Sequence, residues 1–190
     1  MSANGKLIFL DYGANDEVLA VTEESVVYSR IGMQRNTPGS SWKKIASNFK
    51  SITASFYGYW LIDKTNSIFF SPYVPSESVF PRLTVNRVNG KFRKVTAGFG
   101  GNVWALDMDY NLLQRLNVHT LSPSGTGWKQ VKGLKLYDIS AGYDAVYGVM
   151  SSGRIVRFDG KISNRFIHVR FQKLGSVFLQ FTNFSSYCDY

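Results

Sequence analysis

Short apolar runs broken by polar turns recur along this chain at a spacing of roughly 43 residues, always in the same order. The first run of each unit reads VLAV at 18–21, YWLI at 59–62, VWAL at 103–106 and VYGV at 146–149. A second run follows: VYSR at 27–30, IFFS at 68–71, LLQR at 112–115 and RIVR at 154–157. The first run predicts a strand with two unlike faces. Leu19 and Val21, Trp60 and Ile62, Trp104 and Leu106, and Tyr147 and Val149 form a bulky face; Val18 and Ala20, Val103 and Ala105, and Val146 and Gly148 form a slim one. A strand apolar on both sides must be covered on both sides, and bulky-on-slim complementarity lets one sheet stack on the next. Trp60, Trp104 and Tyr147 are therefore expected in the core.

The segments between these runs are polar and short (EES at 23–25, KTN at 64–66, DYN at 109–111, SSG at 151–153), which predicts tight antiparallel hairpins. A Pro/Gly-bearing loop then leads to a third strand, opened by Trp42 and Trp128 in the first and third units; Val85 and Val88, and Phe166 and Val169, stand at the equivalent spacing in the others. The fourth strand is the most regular: FKSITAS at 49–55, FRKVTAG at 92–98 and LYDISAG at 136–142, with LIFLDYG at 7–13 ahead of the first full unit. No window shows helical periodicity. Four short antiparallel strands per unit predict an all-β chain, a β-propeller of four-stranded blades in one domain over 1–190. The repeats fall near 14–55, 56–98, 99–142 and 143–180, with an irregular tail over 181–190.

Composition narrows this reading. The chain is 44% apolar with 14 Phe, 11 Tyr and 4 Trp, enough for a sizeable core and unlike a disordered segment. No apolar run approaches the ~20 residues of a transmembrane helix. The N-terminal segment lacks the apolar stretch of a secretory signal, and Cys188 is the single cysteine, so a cytoplasmic setting is expected, with membrane association open. Net charge is +9 and unevenly placed. Residues 82–94 carry Arg82, Arg87, Lys91, Arg93 and Lys94 without an acid, a segment that could meet an anionic surface. No nucleic-acid motif accompanies it, so no nucleic-acid partner is expected.

Several stretches resemble tectonin repeats. The third unit does so through GWKQVKGLKLYDISAG at 127–142, AVYGV at 145–149 and SGRIVRFDG at 152–160; the first does so through LAVTEESVVYSRIG at 19–32, NTPG at 36–39 and Trp42. The resemblance covers roughly 7–160. It implies a propeller, usually six-bladed in that family. It also implies one of two roles: a lectin for glycans or lipopolysaccharide, or an intracellular scaffold of autophagy and vesicle traffic. About four units are present here. An incomplete ring exposes the apolar faces of its end blades. Three arrangements follow: a piece of a longer protein, a ring completed by another chain, or a tightly closed four-bladed ring.

Catalytic chemistry finds little support. His119 and His168 stand outside any metal-ligand spacing, Asp107 and Asp109 recur in no other unit, and Cys188 has no evident base beside it. No enzyme activity, cofactor or metal is expected. A binding set is more plausible: Arg30 with Trp42, Arg115 with Trp128, and Arg157 with Phe166, since an aromatic face and a fixed polar group together suit a sugar. The alternative is that these tryptophans pack between blades with the arginines stacked on them. The expected function is a non-enzymatic glycan-binding module, with a protein-interaction scaffold as the alternative.

Overall fold

The computed structural model describes residues 5–13, 17–34, 36–73, 82–143 and 145–158. The expected tail, Phe166, His168, Val169 and Cys188 lie outside them. Among the described residues every regular element is a β-strand. The first sheet runs β1 (Leu7–Gly13), β2 (Glu17–Thr22), β3 (Val26–Gln34) and β4 (Thr37–Ser47), each antiparallel to the next. The second holds β5 (Phe49–Ser55), β6 (Gly58–Asp63), β7 (Ser67–Pro72) and the start of β8 (Asn86–Ala97). Strand β8 serves two sheets: its first half pairs with β7, its second with β9 (Val103–Asp107). Strands β10 (Asn111–Leu116) and β11 (Gly127–Lys135) complete the third sheet. The fourth contains β12 (Asp138–Ala141), β13 (Val146–Val149) and β14 (Ile155–Phe158). No helix long and apolar enough to cross a membrane is present among the described residues.

The hairpins form for a local reason. Each turn closes with a backbone bond three residues back (Ser25 to Thr22, Asn66 to Asp63, Tyr110 to Asp107, Gly153 to Met150), and each ends on a residue with positive φ. This is the type I turn plus left-handed residue expected of a short antiparallel loop. The Asp63 and Asp107 carboxylates brace two of these turns by accepting from the backbone N–H groups two and four residues on. Asp107 is thereby taken up by its own turn.

The period of the sheets matches that of the sequence, but the phase differs by one strand. The fourth run of each repeat is hydrogen-bonded into the following sheet, where it forms the first strand. The connection is covalently short, so the same run can close one unit or open the next; the pairing partners decide. These first strands also tie sheet to sheet. The N–H groups of Phe49, Phe92 and Leu136 donate to the carbonyls of Ser25, Asn66 and Tyr110 in the preceding hairpin turn. The Thr53 and Thr96 hydroxyls accept from the N–H groups of Ala97 and Ala141 one sheet on.

Among the described residues three apolar clusters fill the spaces between successive sheets. Leu19, Val21 and Val27 meet Phe49 and Ile52; Trp60, Ile62 and Phe70 meet Phe92, Val95 and Ala105; Trp104, Leu106 and Leu112 meet Leu136, Ile139 and Val156. Between the second and third sheets and between the third and fourth, the bulky face of one sheet thus lies on a slim face of the next, as the alternation predicts; the face of the second sheet toward the first instead carries Tyr59 and Leu61. Trp60 and Trp104 are fully buried. Tyr147 departs from expectation and is 40% exposed. Its counterparts are covered by the sheet that follows, and no following sheet lies among the described residues.

Candidate functional site

Two of the sequence-derived pairs are brought together. Arg30 on β3 lies opposite Trp42 on β4, its guanidinium carbon 5.3 Å from the ring centroid. Its Nε and Nη2 donate to the carbonyls of Pro38 and Gly39 at 2.9 and 2.8 Å. Arg115 on β10 repeats this arrangement against Trp128 on β11 at 5.1 Å, donating to the carbonyls of Ser124 and Gly125. The accepting carbonyls belong to the start of β4 in the first unit and to the loop before β11 in the third, and in both a Pro/Gly-bearing segment turns them back onto the arginine, which explains the recurrence at matched spacing. Arg115 is also buried against the sheet before it, and Trp128 is partly covered there. The guanidinium lies 5.6 Å from Trp60, and Trp128 packs on Phe92 while its indole N–H donates to the Asn89 carbonyl. Burial pulls the Arg115 guanidinium below its ordinary value. The third pair is different. Arg157 lies opposite Tyr147, one residue short of the register of Arg30 and Arg115; Phe158 occupies that place. Alternation puts Arg157 on the other face of its sheet.

The basic segment is divided by the fold. Arg82, Arg87 and Lys91 are exposed before and along the outer half of β8. Arg93 lies 3.8 Å over the Tyr110 ring, and Lys94 pairs with Asp138 of the fourth sheet. Lys94 thus serves a contact between sheets, and Arg93 one within the third sheet. His119 sits in a loop bridge to Ser122. Among the described residues no group of three or more His, Cys, Asp or Glu could hold a metal ion.

An exposed feature was not anticipated from the sequence. Phe56, Phe99 and Tyr143 stand one or two residues beyond the first strands of the second, third and fourth sheets, and all three are exposed. The turns bring them into one row: Phe56 to Phe99 at 6.1 Å edge-on, Phe99 to Tyr143 at 5.8 Å stacked, with Tyr57 edge-on to Phe56 at 5.2 Å. The Asn102 amide donates to the Tyr143 carbonyl at 3.0 Å and pins the two loops together. The signal was present one place beyond the repeated FRKVTAG-type segment, where an aromatic residue recurs.

Residues 1–135 match the tectonin domain family. The chain belongs to that family. No curated protein matches it. Among solved structures the tectonin chain is similar to human WBSCR16 (12% identity, 83% of this chain and 48% of that one, TM-score 0.58). It is also similar to YCF48 from Cyanidioschyzon merolae (17%, 84% and 52%, 0.58). The Cps50 (Swd1) β-propeller domain of Myceliophteria thermophila gives 14%, 80% and 50%, and 0.51. At these identities the likeness is one of fold: an incomplete β-propeller. The tectonin chain spans about half the length of each.

One buried carboxylate joins the first two sheets of the tectonin chain. Glu17 accepts from the Tyr59 hydroxyl at 2.8 Å and from the Ser29 hydroxyl at 2.9 Å. Burial raises its carboxyl above the ordinary value, outweighing those two hydrogen bonds, which act the other way. The folded state therefore holds this proton more tightly than the unfolded chain. Stability falls as pH rises from the ordinary glutamate value through the raised one. Glu17→Gln is expected to remove that fall, which is at most about 1.4 kcal/mol per pH unit for a single group. Urea unfolding of both forms across the acid-to-neutral range checks this; parallel curves would refute it.

Proposed function

We propose that this tectonin chain is a non-enzymatic interaction module that holds a protein partner on the row formed by Phe56, Tyr57, Phe99 and Tyr143. The observation that carries this reading is the exposure of a contiguous, pinned set of aromatic rings, contributed by three successive sheets. Aromatic side chains offer large contact area with few rotamers to order, and they dominate the energetics of protein interfaces. A rigid sheet scaffold holds the row in shape before a partner arrives. The solved YCF48 complex with D1 peptide is a propeller-like relative carrying a peptide ligand. A scaffold of this kind also agrees with one of the two roles implied by the repeats, that of autophagy and vesicle traffic.

The glycan reading rests on a different observation. Trp42 remains partly exposed with Arg30 beside it, and an open ring face suits the C–H surface of a sugar. Arg115 is buried while Arg30 is partly exposed, so the two sites do not offer a sugar the same guanidinium, although Trp42 and Trp128 are both partly exposed. Exposed Arg82, Arg87 and Lys91 would add only salt-sensitive attraction to an anionic surface.

The test is a quantitative affinity capture from native extract with the unaltered protein, the Phe99→Ala/Tyr143→Ala variant and Trp42→Ala. A partner whose recovery drops about tenfold or more with the double variant, and not with Trp42→Ala, is expected; truncating interface anchors has effects of that order. Recovery unaffected by the double variant would overturn the reading. Glycan-array binding lost with Trp42→Ala would put the lectin role in its place.

A further inference from the structure

We propose that the last strands of the first three sheets form a docking surface for an anionic lipid bilayer, separate from the aromatic row. These strands are β4, the first half of β8 and β11, and their registers set cations at matching positions. Ser29, Phe70 and Gln114 are equivalent, because they lie opposite Leu19, Trp60 and Trp104. Across from them stand Lys43, Asn86 and Lys129. One place along stand Lys44, Arg87 and Gln130, and at the turn end of the ladder Ser47, Lys91 and Lys135. Each position is thus a lysine or arginine in two of the three sheets and an acid in none. Lys44, Arg87, Lys91, Lys129 and Lys135 are exposed, and Lys132 adds a further exposed charge on β11.

Local pairing does not neutralise these charges. The three strands hold no Asp or Glu, and the residues across from the cations are Ser, Gln, Tyr, Phe and Asn. Among the described residues none of these cations forms an ion pair, whereas Lys6 and Lys94 do. Packed sheets lie about 10 Å apart, too far for one small anion to join equivalent cations. Lipid headgroups move laterally and can gather under separated charges without a fixed register. Arg87 is the one arginine in the recurring set, and lysine is a compact point charge suited to a diffuse anionic surface. A single-stranded nucleic acid fits less well. Its binders stack bases on aromatic platforms, and the tryptophans of these strands, Trp42 and Trp128, already stack on Arg30 and Arg115.

Flotation of the full chain with vesicles tests this, using equal parts phosphatidylcholine and phosphatidylserine against phosphatidylcholine alone. Binding is expected to the charged vesicles only, and to be lost at high salt. Each cation near an anionic leaflet contributes about fivefold in affinity, so Lys44→Gln/Lys91→Gln/Lys135→Gln is expected to weaken binding about a hundredfold. All three side chains are exposed, so circular dichroism should show the fold intact. Lys6→Gln removes the same charge at the opposite edge of the first sheet, where it pairs with Glu23, and should change affinity less than about twofold. Phe99→Ala/Tyr143→Ala should leave vesicle binding unchanged, which separates this surface from the aromatic row. No binding to the charged vesicles at low salt, or equal binding to neutral ones, would overturn the inference. So would a loss with Lys6→Gln as large as with Lys135→Gln alone, or tighter binding to single-stranded RNA than to the charged vesicles at the same salt.

Discussion

Replacing Trp104 with alanine is expected to lower stability by about 3–5 kcal/mol, the range for removing a fully buried large aromatic from a packed core. Trp104 has no exposed surface and stands at the centre of the cluster between the third and fourth sheets, with Phe158 edge-on at 5.2 Å and Leu136, Ile139 and Val146 around it. These residues belong to two different sheets, so little local backbone movement can refill the space. The indole Nε1–H has no hydrogen-bond partner among the described residues. Trp104→Phe should therefore cost much less than Trp104→Ala, because it keeps most of the apolar contact and removes an unpaired donor. Stacked sheets that touch only their neighbours lose stability locally. Amide exchange should accordingly show β12 to β14 opening first in Trp104→Ala. A loss under about 1 kcal/mol in urea unfolding would mean that the third and fourth sheets are not packed through this side chain.

Gly98→Ala is the second large effect. A Cβ added at Gly98 would lie 2.0 Å from the carbonyl oxygen of Gly142, a backbone atom of the neighbouring sheet. Side-chain rotation cannot relieve such a clash, so the first strands of two sheets must separate. Overpacking of this kind costs about 1–3 kcal/mol, and more where backbone is the obstacle. The same shift would lengthen the bond from the Ala141 N–H to the Thr96 hydroxyl and pull Phe99 away from Tyr143. Near-ultraviolet circular dichroism should lose signal from the aromatic row along with the drop in urea midpoint. Gly133→Ala is the comparison: its φ of +76° is strained for alanine, but nothing lies within 4 Å. A loss at Gly98 no larger than the backbone strain costs at Gly133 would mean that the contact with Gly142 is readily relieved.

Much of the scaffold was legible without coordinates. The two-residue alternation of bulky and slim positions named the strands whose faces become the clusters between sheets. Short polar turns named the hairpins, and Trp60 and Trp104 fell in the core because both faces of their strands are apolar. Tyr147 carries the same local pattern and is nevertheless exposed, because burial of a sheet face depends on the next sheet and not on the strand that bears it. Arg157 was grouped with Arg30 and Arg115 from spacing alone. A one-residue difference in register places it on the opposite face, and spacing along a chain does not report cross-strand pairing.

By itself, the order of residues determined the strand period, the hairpin turns, the all-β repeat architecture and the family to which it belongs, because these depend on local backbone preference and side-chain alternation. Tertiary structure decided which strand opens each sheet, which aromatics are enclosed and which form the exposed row of Phe56, Phe99 and Tyr143. It also decided that Arg115 is buried between sheets while its counterpart Arg30 stays partly exposed. Those outcomes depend on contacts between residues some forty positions apart, where identical local patterns meet different neighbours.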